Sequence, residues 1–214
     1  MSPPPLPVAA LVSGYGSNLQ ALLDAAAAGR LHAEFRLVAS DRPEAQGLDR
    51  ARRAGIPAVA LSPAGFPDRH AWHAALGALL HESGAQLVVL AGFMRVLAPD
   101  LVGAWRGRML NVHPSLLPLY RGLHTHRRVL EAGDRMHGAS IHFVTEELDG
   151  GPVILQARIP VLPGDDEQCL AQRVQAREHE IYPRAVEWLA SGRLEWRDDV
   201  PWLDGRRLDH PVVV

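Results

Sequence analysis

Residues 8–18, VAALVSGYGSN, join a short apolar run to a turn of glycine and small polar residues. Leu19, Leu22, Leu23 and Ala26 follow with the i, i+3, i+4, i+7 spacing of one apolar helix face. The stretch therefore predicts a strand, a tight turn and a helix. This is the unit from which parallel α/β sheets are built.

The same alternation continues through the first half of the chain. Apolar segments predict strands at 35–40, 58–61 and 86–92, and helices are expected at 44–54 and 72–84. The segment QLVVLAG at 86–92 lacks alternation of apolar and polar residues, as is typical of a strand that is buried on both faces. We therefore expect an α/β fold, with a Rossmann-like, mostly parallel sheet flanked by helices on both faces.

The second half is less regular. A strand is expected at 108–112, and two more at 139–144 and 153–161. Their connection, TEELDGGP, is too short for a parallel crossover, which predicts an antiparallel pair. A helix at about 166–190 and a small C-terminal hairpin complete the pattern. The expected organisation is a disordered lead at 1–7, a single domain at 8–190, and a hairpin and tail at 191–214 packed on that domain.

Composition excludes several classes of function. The 22 basic and 24 acidic residues are nearly balanced and form no long like-charge run, so we expect no nucleic-acid partner. The longest apolar run, 87–94, is far too short for a membrane span. The proline-rich start does not resemble a signal peptide, and we expect a cytoplasmic protein without a membrane partner. The single cysteine, Cys169, excludes an internal disulfide, and the absence of lysine excludes a Schiff base.

Three motifs follow predicted strands, where parallel sheets bind ligands: SGYGSN, GFMRVL and NVHPSLLP. In the first, Gly16, Ser17 and Asn18 begin a helix, whose free amide groups favour an anion. A tight turn with a helix cap is the simpler alternative. A dinucleotide site is a further alternative, since Asp41 ends the second strand where a ribose-binding acid would lie, although Leu19 replaces the third glycine of that motif.

The third motif brings an amide and an imidazole to one strand end. Asn111 and His113 point the same way because strand side chains alternate faces. If Asp149 of the LDGGP turn joins them, the amide can stabilise an oxyanion, the imidazolium adds charge, and the carboxylate orients the ring and raises its pKa. Taken singly, His113 would be a satisfied histidine and Asp149 a turn former. Since no serine lies in a nucleophile elbow, direct transfer between two bound substrates is the simpler chemistry.

Histidines could also indicate a metal. His124, His126, His137 and His142 include one H-x-H pair, but no zinc spacing is complete. We expect no metal, and structural or substrate-orienting roles for these side chains.

Five segments together resemble the phosphoribosylglycinamide formyltransferase family, folate-dependent enzymes of purine biosynthesis. They are SGYGSNLQALL, VVLAGFMRVL, LNVHPSLLPLYRGLHTHRRVLE, GASIHFVTEELDGGPVILQARIPV and RVQAREHEIYP, and they span residues 13–183. Formyltransferases acting on initiator tRNA and formyltetrahydrofolate hydrolases share the Asn-x-His and the later Asp. The former carry a further basic domain for which this chain has no room, and the latter usually carry an N-terminal regulatory domain.

The resemblance implies direct transfer of the formyl group of 10-formyltetrahydrofolate to the amine of glycinamide ribonucleotide, without a metal. It implies a catalytic trio of Asn111, His113 and Asp149, and it leaves a homodimer open. Spacing alone favours a solvated face for Gln175 and Glu178, but the resemblance assigns them to the nucleotide substrate. The implied substrate-binding residues are Gly16, Ser17, Asn18, Gln175, Ala176, Arg177 and Glu178. The implied folate-binding residues are Arg69, Met94, Arg95, Val96, Leu97, Asn111, Thr145, Glu146, Glu147, Leu148 and Asp149.

Two residues depart from the pattern of the family. Tyr15 stands where a small polar residue is common, and Arg121 replaces a proline. Neither belongs to the trio, but Arg121 bears on the rigidity of its loop.

Overall fold

The computed structural model describes residues 4–214, which form two sheets and six α-helices. The strands are β1 (Leu6–Val12), β2 (Ala33–Ser40), β3 (Ala58–Ala60), β4 (Leu87–Leu90), β5 (Met109–His113), β6 (Met136–Phe143), β7 (Val153–Pro160), β8 (Leu194–Arg197), β9 (Val200–Leu203), β10 (Arg206–Arg207) and β11 (Val212–Val213). The helices are α1 (Ser17–Ala27), α2 (Gln46–Arg53), α3 (Arg69–Glu82), α4 (Pro99–Ala104), α5 (Thr125–Ala132) and α6 (Glu167–Ala190).

The large sheet has the order β11-β7-β6-β5-β4-β1-β2-β3. Strands β1 to β5 are parallel, whereas β6 runs antiparallel to both β5 and β7. The predicted mostly parallel sheet with an antiparallel pair is therefore confirmed. The strand order reverses between β1 and β4, and this switch point opens a crevice at the carboxyl ends of the strands.

Helices cover both faces of the large sheet because its strands are apolar on both sides. Val8, Ala10 and Val12 of β1 join the core beneath α1, α2, α5 and α6. Ala9 and Leu11 join the opposite core beneath α3 and α4. The burial of these alternate positions fixes the strand between two helical layers.

Helix α6 is fastened to the centre of the sheet by a buried tyrosine. The Tyr182 hydroxyl lies 3.0 Å from the carbonyl oxygens of both Leu90, the last residue of β4, and Leu110, within β5. Burial raises the pKa of Tyr182 well above its ordinary value, so the hydroxyl stays neutral and can donate. This contact places the middle of α6 behind the crevice.

The C-terminal hairpin, predicted from sequence, is the β8–β9 pair, which β10 extends to three strands. Trp196 packs edge-on against Phe143 at 4.8 Å between ring centroids. It also lies over Gly107, where a Cβ atom would come within 2.3 Å of the indole. Beyond the hairpin, β11 pairs with β7 and covers the edge of the large sheet.

Two parts of the chain differ from expectation. The lead predicted at 1–7 is too long, because Leu6 and Pro7 already pair with β2 in the sheet, while residues 1–3 lie outside the described part of the chain. Helix α5 was not predicted, since only Thr125 and Val129 of its eight residues are buried and its apolar periodicity is short. Among residues 4–214, no helix has both the length and the apolar composition that crossing a bilayer requires.

Candidate active site

Asn111, His113 and Asp149 meet at the carboxyl end of β5. His113 Nδ1 lies 3.5 Å from Asp149 Oδ2, and both side chains are less than a tenth exposed. His113 Nε2 lies 3.0 Å from the carbonyl oxygen of Tyr120. Both ring nitrogens therefore face acceptors, an arrangement that the doubly protonated imidazolium can satisfy. The structure therefore brings Asp149 beside His113, the condition on which the site proposed from the sequence depended.

The amide of Asn111 is oriented by a histidine on the neighbouring strand. His142 stands directly opposite Asn111 in the β5–β6 pairing, and its Nε2 lies 3.1 Å from Asn111 Nδ2. His142 Nδ1 donates to the carbonyl of Phe143 at 2.9 Å, so Nε2 is left to accept from the amide. Burial lowers the pKa of His142 to about 4, which keeps the ring neutral and this direction of donation in place.

Asp149 is held by the loop that faces it. The residue has a φ of 49°, in the left-handed region, which turns its carboxylate toward β5. Its Oδ2 accepts a hydrogen bond from the Gly122 amide at 2.8 Å. Arg121, the residue that replaces a proline of the family pattern, forms an ion pair with Glu147. Two adjacent residues of the 114–124 loop thus bind the turn that carries Asp149.

A buried polar cluster anchors the start of the same loop. The Ser140 hydroxyl donates to the carbonyl of Ser115 at 2.7 Å and accepts from the Leu117 amide at 3.0 Å. Gln156 Nε2 donates to the Leu117 carbonyl at 2.8 Å. Because these bonds tie the loop to β6 and β7, they fix the position of Tyr120, whose carbonyl meets His113.

A cavity of about 550 Å³ opens in front of the trio. Its walls include Met94–Leu97, Thr145–Asp149, Asn111 and His113, and most of its surface is apolar. Most of the predicted folate-binding residues therefore share one cavity. Arg69 does not line it. Instead, the Arg69 guanidinium donates to the carbonyl of Val96 and so supports the cavity wall from the side.

A second cavity, of about 290 Å³, lies at the start of α1. Its lining includes Ser13–Asn18, Arg42 and Gln175, and it shares Gly92 and Met94 with the larger cavity. Gly16 has a φ of 73°, and a Cβ atom there would lie 2.8 Å from Gly47 Cα. Only glycine fits this turn, which leaves the first amide groups of α1 facing the cavity.

Two residues of α6 reach the same turn. Gln175 Nε2 donates to the Ser17 hydroxyl at 3.0 Å, and Asn18 Nδ2 donates to Glu178 Oε2 at 2.7 Å. Burial raises the pKa of Glu178, and the Asn18 hydrogen bond opposes this shift. The solvated face expected from spacing is therefore wrong for Glu178, which is 7% exposed.

The other two predicted residues of α6 lie elsewhere. Ala176 is exposed and Arg177 forms an ion pair with Glu180, and neither lines either cavity. They occupy the helix positions between Gln175 and Glu178, which a 3.6-residue period turns away from the crevice.

The clustered histidines form a hydrogen-bonded pair. His126 Nδ1 lies 3.0 Å from His137 Nε2, and burial lowers the pKa of both, that of His137 to about 4. Within the described part of the chain, no group of three His, Cys, Asp or Glu side chains is placed to hold a metal ion.

The geometry agrees with a comparison to known families. A family model described as formyl transferase matches residues 6–186, most of the chain. The chain belongs to the formyl transferase family.

Two phosphoribosylglycinamide formyltransferases are similar to this formyl transferase over nearly their whole length, and a deformylase is similar over part of its length. The phosphoribosylglycinamide formyltransferase of Escherichia coli K12 is 51% identical over 201 residues, covering 94% of this chain and 95% of the relative. The structure of the Coxiella burnetii phosphoribosylglycinamide formyltransferase superposes with a TM-score of 0.93 at 45% identity, covering 97% of this chain and 99% of that one. A formyltetrahydrofolate deformylase from Pseudomonas syringae superposes with a TM-score of 0.85 at 25% identity, covering 93% of this chain and 66% of that one.

Sequence reasoning missed the partners that hold the trio in place. Tyr120 and Gly122 act through backbone groups, which leave no mark on residue type. His142 carried a signal, since it lies in an apolar strand where a histidine needs a partner. However, its pairing with Asn111 depends on the register of β5 against β6, and this register cannot be read from the sequence.

Proposed function

We propose that this formyl transferase moves the formyl group of 10-formyltetrahydrofolate to the amine of glycinamide ribonucleotide. The products are formylglycinamide ribonucleotide and tetrahydrofolate, in de novo purine biosynthesis. The observation that carries the proposal is the position of the Asn111–His113–Asp149 trio on the wall of a large apolar cavity, which adjoins a smaller cavity at the start of a helix. The high identity to phosphoribosylglycinamide formyltransferases supports it.

The larger cavity suits the folate co-substrate. Its volume of about 550 Å³ is within the range of small-molecule sites, and apolar walls with few polar groups are typical of such sites. Exposed Met94, Val96 and Leu148 offer apolar contacts to a flat ring system. The trio lies at the inner wall, where the formyl group would be presented.

The smaller cavity suits a nucleotide phosphate. The amides at the start of α1, with the positive end of the helix dipole, stabilise an anion. Gln175 lines this cavity and donates to the Ser17 hydroxyl, and the buried Glu178 carboxylate accepts from Asn18 of the same turn. A phosphate bound there would place the amine of the substrate toward Gly92 and Met94, which both cavities share.

The reaction follows from these positions. The substrate amine forms a bond to the formyl carbon, and the carbonyl electron pair moves to oxygen. The free N–H of Asn111 donates to this oxyanion, and the His113 imidazolium adds positive charge nearby. The amine loses a proton to Asp149 by way of water. The oxyanion electron pair then re-forms the carbonyl as the bond from the formyl carbon to the folate nitrogen breaks, and that nitrogen takes up the proton released by the amine.

Formyl hydrolysis is the second candidate, favoured by the likeness to a formyltetrahydrofolate deformylase. Tetrahydrofolate release, followed spectroscopically with and without glycinamide ribonucleotide, separates the two. Release that requires the amine substrate supports transfer, whereas release that ignores it supports hydrolysis.

A cytoplasmic location and a homodimer stay predictions. Cys169 is a free, exposed thiol, which fits a reducing compartment. Cell fractionation tests the location, and light scattering of the purified protein tests the oligomeric state.

A further inference from the structure

Asp41 is a buried carboxylate for which the proposed chemistry has no role. Its side chain is 1% exposed. Oδ1 accepts a hydrogen bond from the Ser13 hydroxyl at 2.5 Å, and Oδ2 accepts one from Arg95 Nε at 2.7 Å. Both carboxylate oxygens therefore have partners within the protein. The dinucleotide site considered from the sequence required Asp41 to face a ribose, and it does not.

The partners of Asp41 belong to the walls of the two cavities. Ser13 follows β1 and begins the turn to α1, while Arg95 lies in the loop between β4 and α4. The Ser13 hydroxyl also accepts from the Met94 amide at 2.9 Å. Because its own proton goes to Asp41, this hydroxyl is held with its oxygen lone pairs free to accept from the Met94 amide. Asp41 therefore fixes two consecutive residues of the 93–97 loop.

The 93–97 loop forms no helix or strand, and side chains hold it in place. Ser13 binds its Met94 amide, Arg69 binds its Val96 carbonyl, and His73 accepts from the amide of Ala98 just beyond it. Arg95 is the only residue of the loop with a charged side chain, and that side chain is 46% exposed. The pair with Asp41, together with a cation–π contact to the Trp72 ring at 5.9 Å, holds this guanidinium against the sheet.

We propose that Asp41 is a positioning residue for the folate co-substrate, acting through Arg95 on the shape of the 93–97 loop. The inference rests on the proposed function, because this loop lines the larger cavity. Burial of a carboxylate is costly unless donors compensate it, and here two donors do. The carboxylate touches neither cavity, so its effect on the reaction is indirect.

Asp41→Asn tests the proposal. The remaining oxygen can still accept from Ser13, but an amide nitrogen then faces the Arg95 donor and the attraction is lost. We expect the KM for 10-formyltetrahydrofolate to rise about tenfold, as for a lost hydrogen bond between charged groups. We expect kcat and the KM for glycinamide ribonucleotide to stay within about twofold, because the trio and the α1 turn are not altered. A general loss of structure would change all three constants.

Arg95→Gln and the double variant complete the test. Arg95→Gln removes the same ion pair from its exposed side and should raise the folate KM to a similar extent. If the two residues act through each other, the double variant is no worse than the worse single variant. Asp49→Asn is the matched control, since Asp49 is an exposed carboxylate paired with Arg52, and it should change none of the constants.

An unchanged folate KM in either folded variant, or multiplying effects in the double variant, would overturn the inference while leaving the proposed function standing. If Asp41→Asn does not fold, Asp41→Glu replaces it, because it keeps the charge but shifts the carboxylate relative to Arg95; Arg95→Gln cannot decide alone, since Arg95 itself lines the larger cavity. A wild-type protein that transfers no formyl group would overturn the proposed function and the inference together.

Discussion

The imidazole of His142 accepts a hydrogen bond from the amide of Asn111 at 3.1 Å, across the pairing of β5 and β6. The bond uses one N–H of the amide and directs the other toward the cavity. His142 also lies 3.8 Å from Asp149 Oδ1, so one buried neutral ring contacts two members of the trio. The orientation of the proposed oxyanion donor thus depends on a residue that the reaction itself does not use.

Replacing His142 by Ala should lower kcat without preventing substrate binding. The Asn111 amide would lose its orienting acceptor, and the loss of one hydrogen bond of this kind corresponds to about tenfold in rate. Steady-state kinetics of the folded variant measure this effect. His81→Ala, at an exposed position near the end of α3, is the control. A His142→Ala enzyme with normal kcat would show that Asn111 does not need this support.

Asn111→Ala and Asp149→Asn should each reduce turnover by at least ~10²-fold, the typical effect of removing one oxyanion donor or its supporting charge. Circular dichroism should show both variants folded, because both side chains lie at the cavity wall. Near-normal turnover in either variant would remove that residue from the mechanism.

Gly16→Ala should weaken the binding of glycinamide ribonucleotide and destabilise the protein. Alanine at a φ of 73° is strained, and its Cβ would meet Gly47 Cα at 2.8 Å, at a cost of about 1–3 kcal/mol. Denaturant unfolding and the KM for the nucleotide report the two effects. Gly14→Ala is the matched control two residues earlier, since a Cβ there has open space within 4 Å. Equal behaviour of the two variants would contradict the assignment of the turn.

Stability should fall as the pH is lowered from 6.5 toward 4. Burial lowers the pKa of both His137 and His142 from 6.5 to about 4. In this window the unfolded chain binds protons at both positions that the folded chain does not, so the free energy of unfolding decreases with falling pH. Each shift corresponds to a loss on the order of 3 kcal/mol by pH 4.

Urea unfolding at a series of pH values measures this loss. His137→Gln should flatten the dependence, because it removes one of the two groups, whereas the exposed His81→Gln should not. A wild-type protein of constant stability between pH 6.5 and 4 would contradict the prediction.

Helix and strand positions followed from local patterns in the sequence. The run at 86–92 and the VAALV run at 8–12 are apolar on both faces, which only a strand between two layers of helices can bury. The antiparallel pairing of the strands predicted at 139–144 and 153–161 could be predicted because the segment that connects them is too short for a parallel crossover. Helix α5 and the strand β11 could not be predicted, since α5 has only two buried residues and the two residues of β11 are not buried.

The residue types of the candidate site were also readable from the sequence. Strand alternation placed Asn111 and His113 on one face, and the glycines at 14 and 16 marked the turn before α1, where the structure gives Gly16 a positive φ. These are local properties, set by the backbone geometry of a few consecutive residues.

Only the tertiary structure decided which distant groups meet. Asp149 reaches His113, His142 faces Asn111, and Asp41 turns inward to Arg95 rather than outward to a ligand. Each of these contacts depends on strand order, register and loop path, which result from packing the whole core. The sequence therefore determines locally which reactive residue types are present. The fold determines where they lie, because packing sets which buried polar groups can become hydrogen-bond partners.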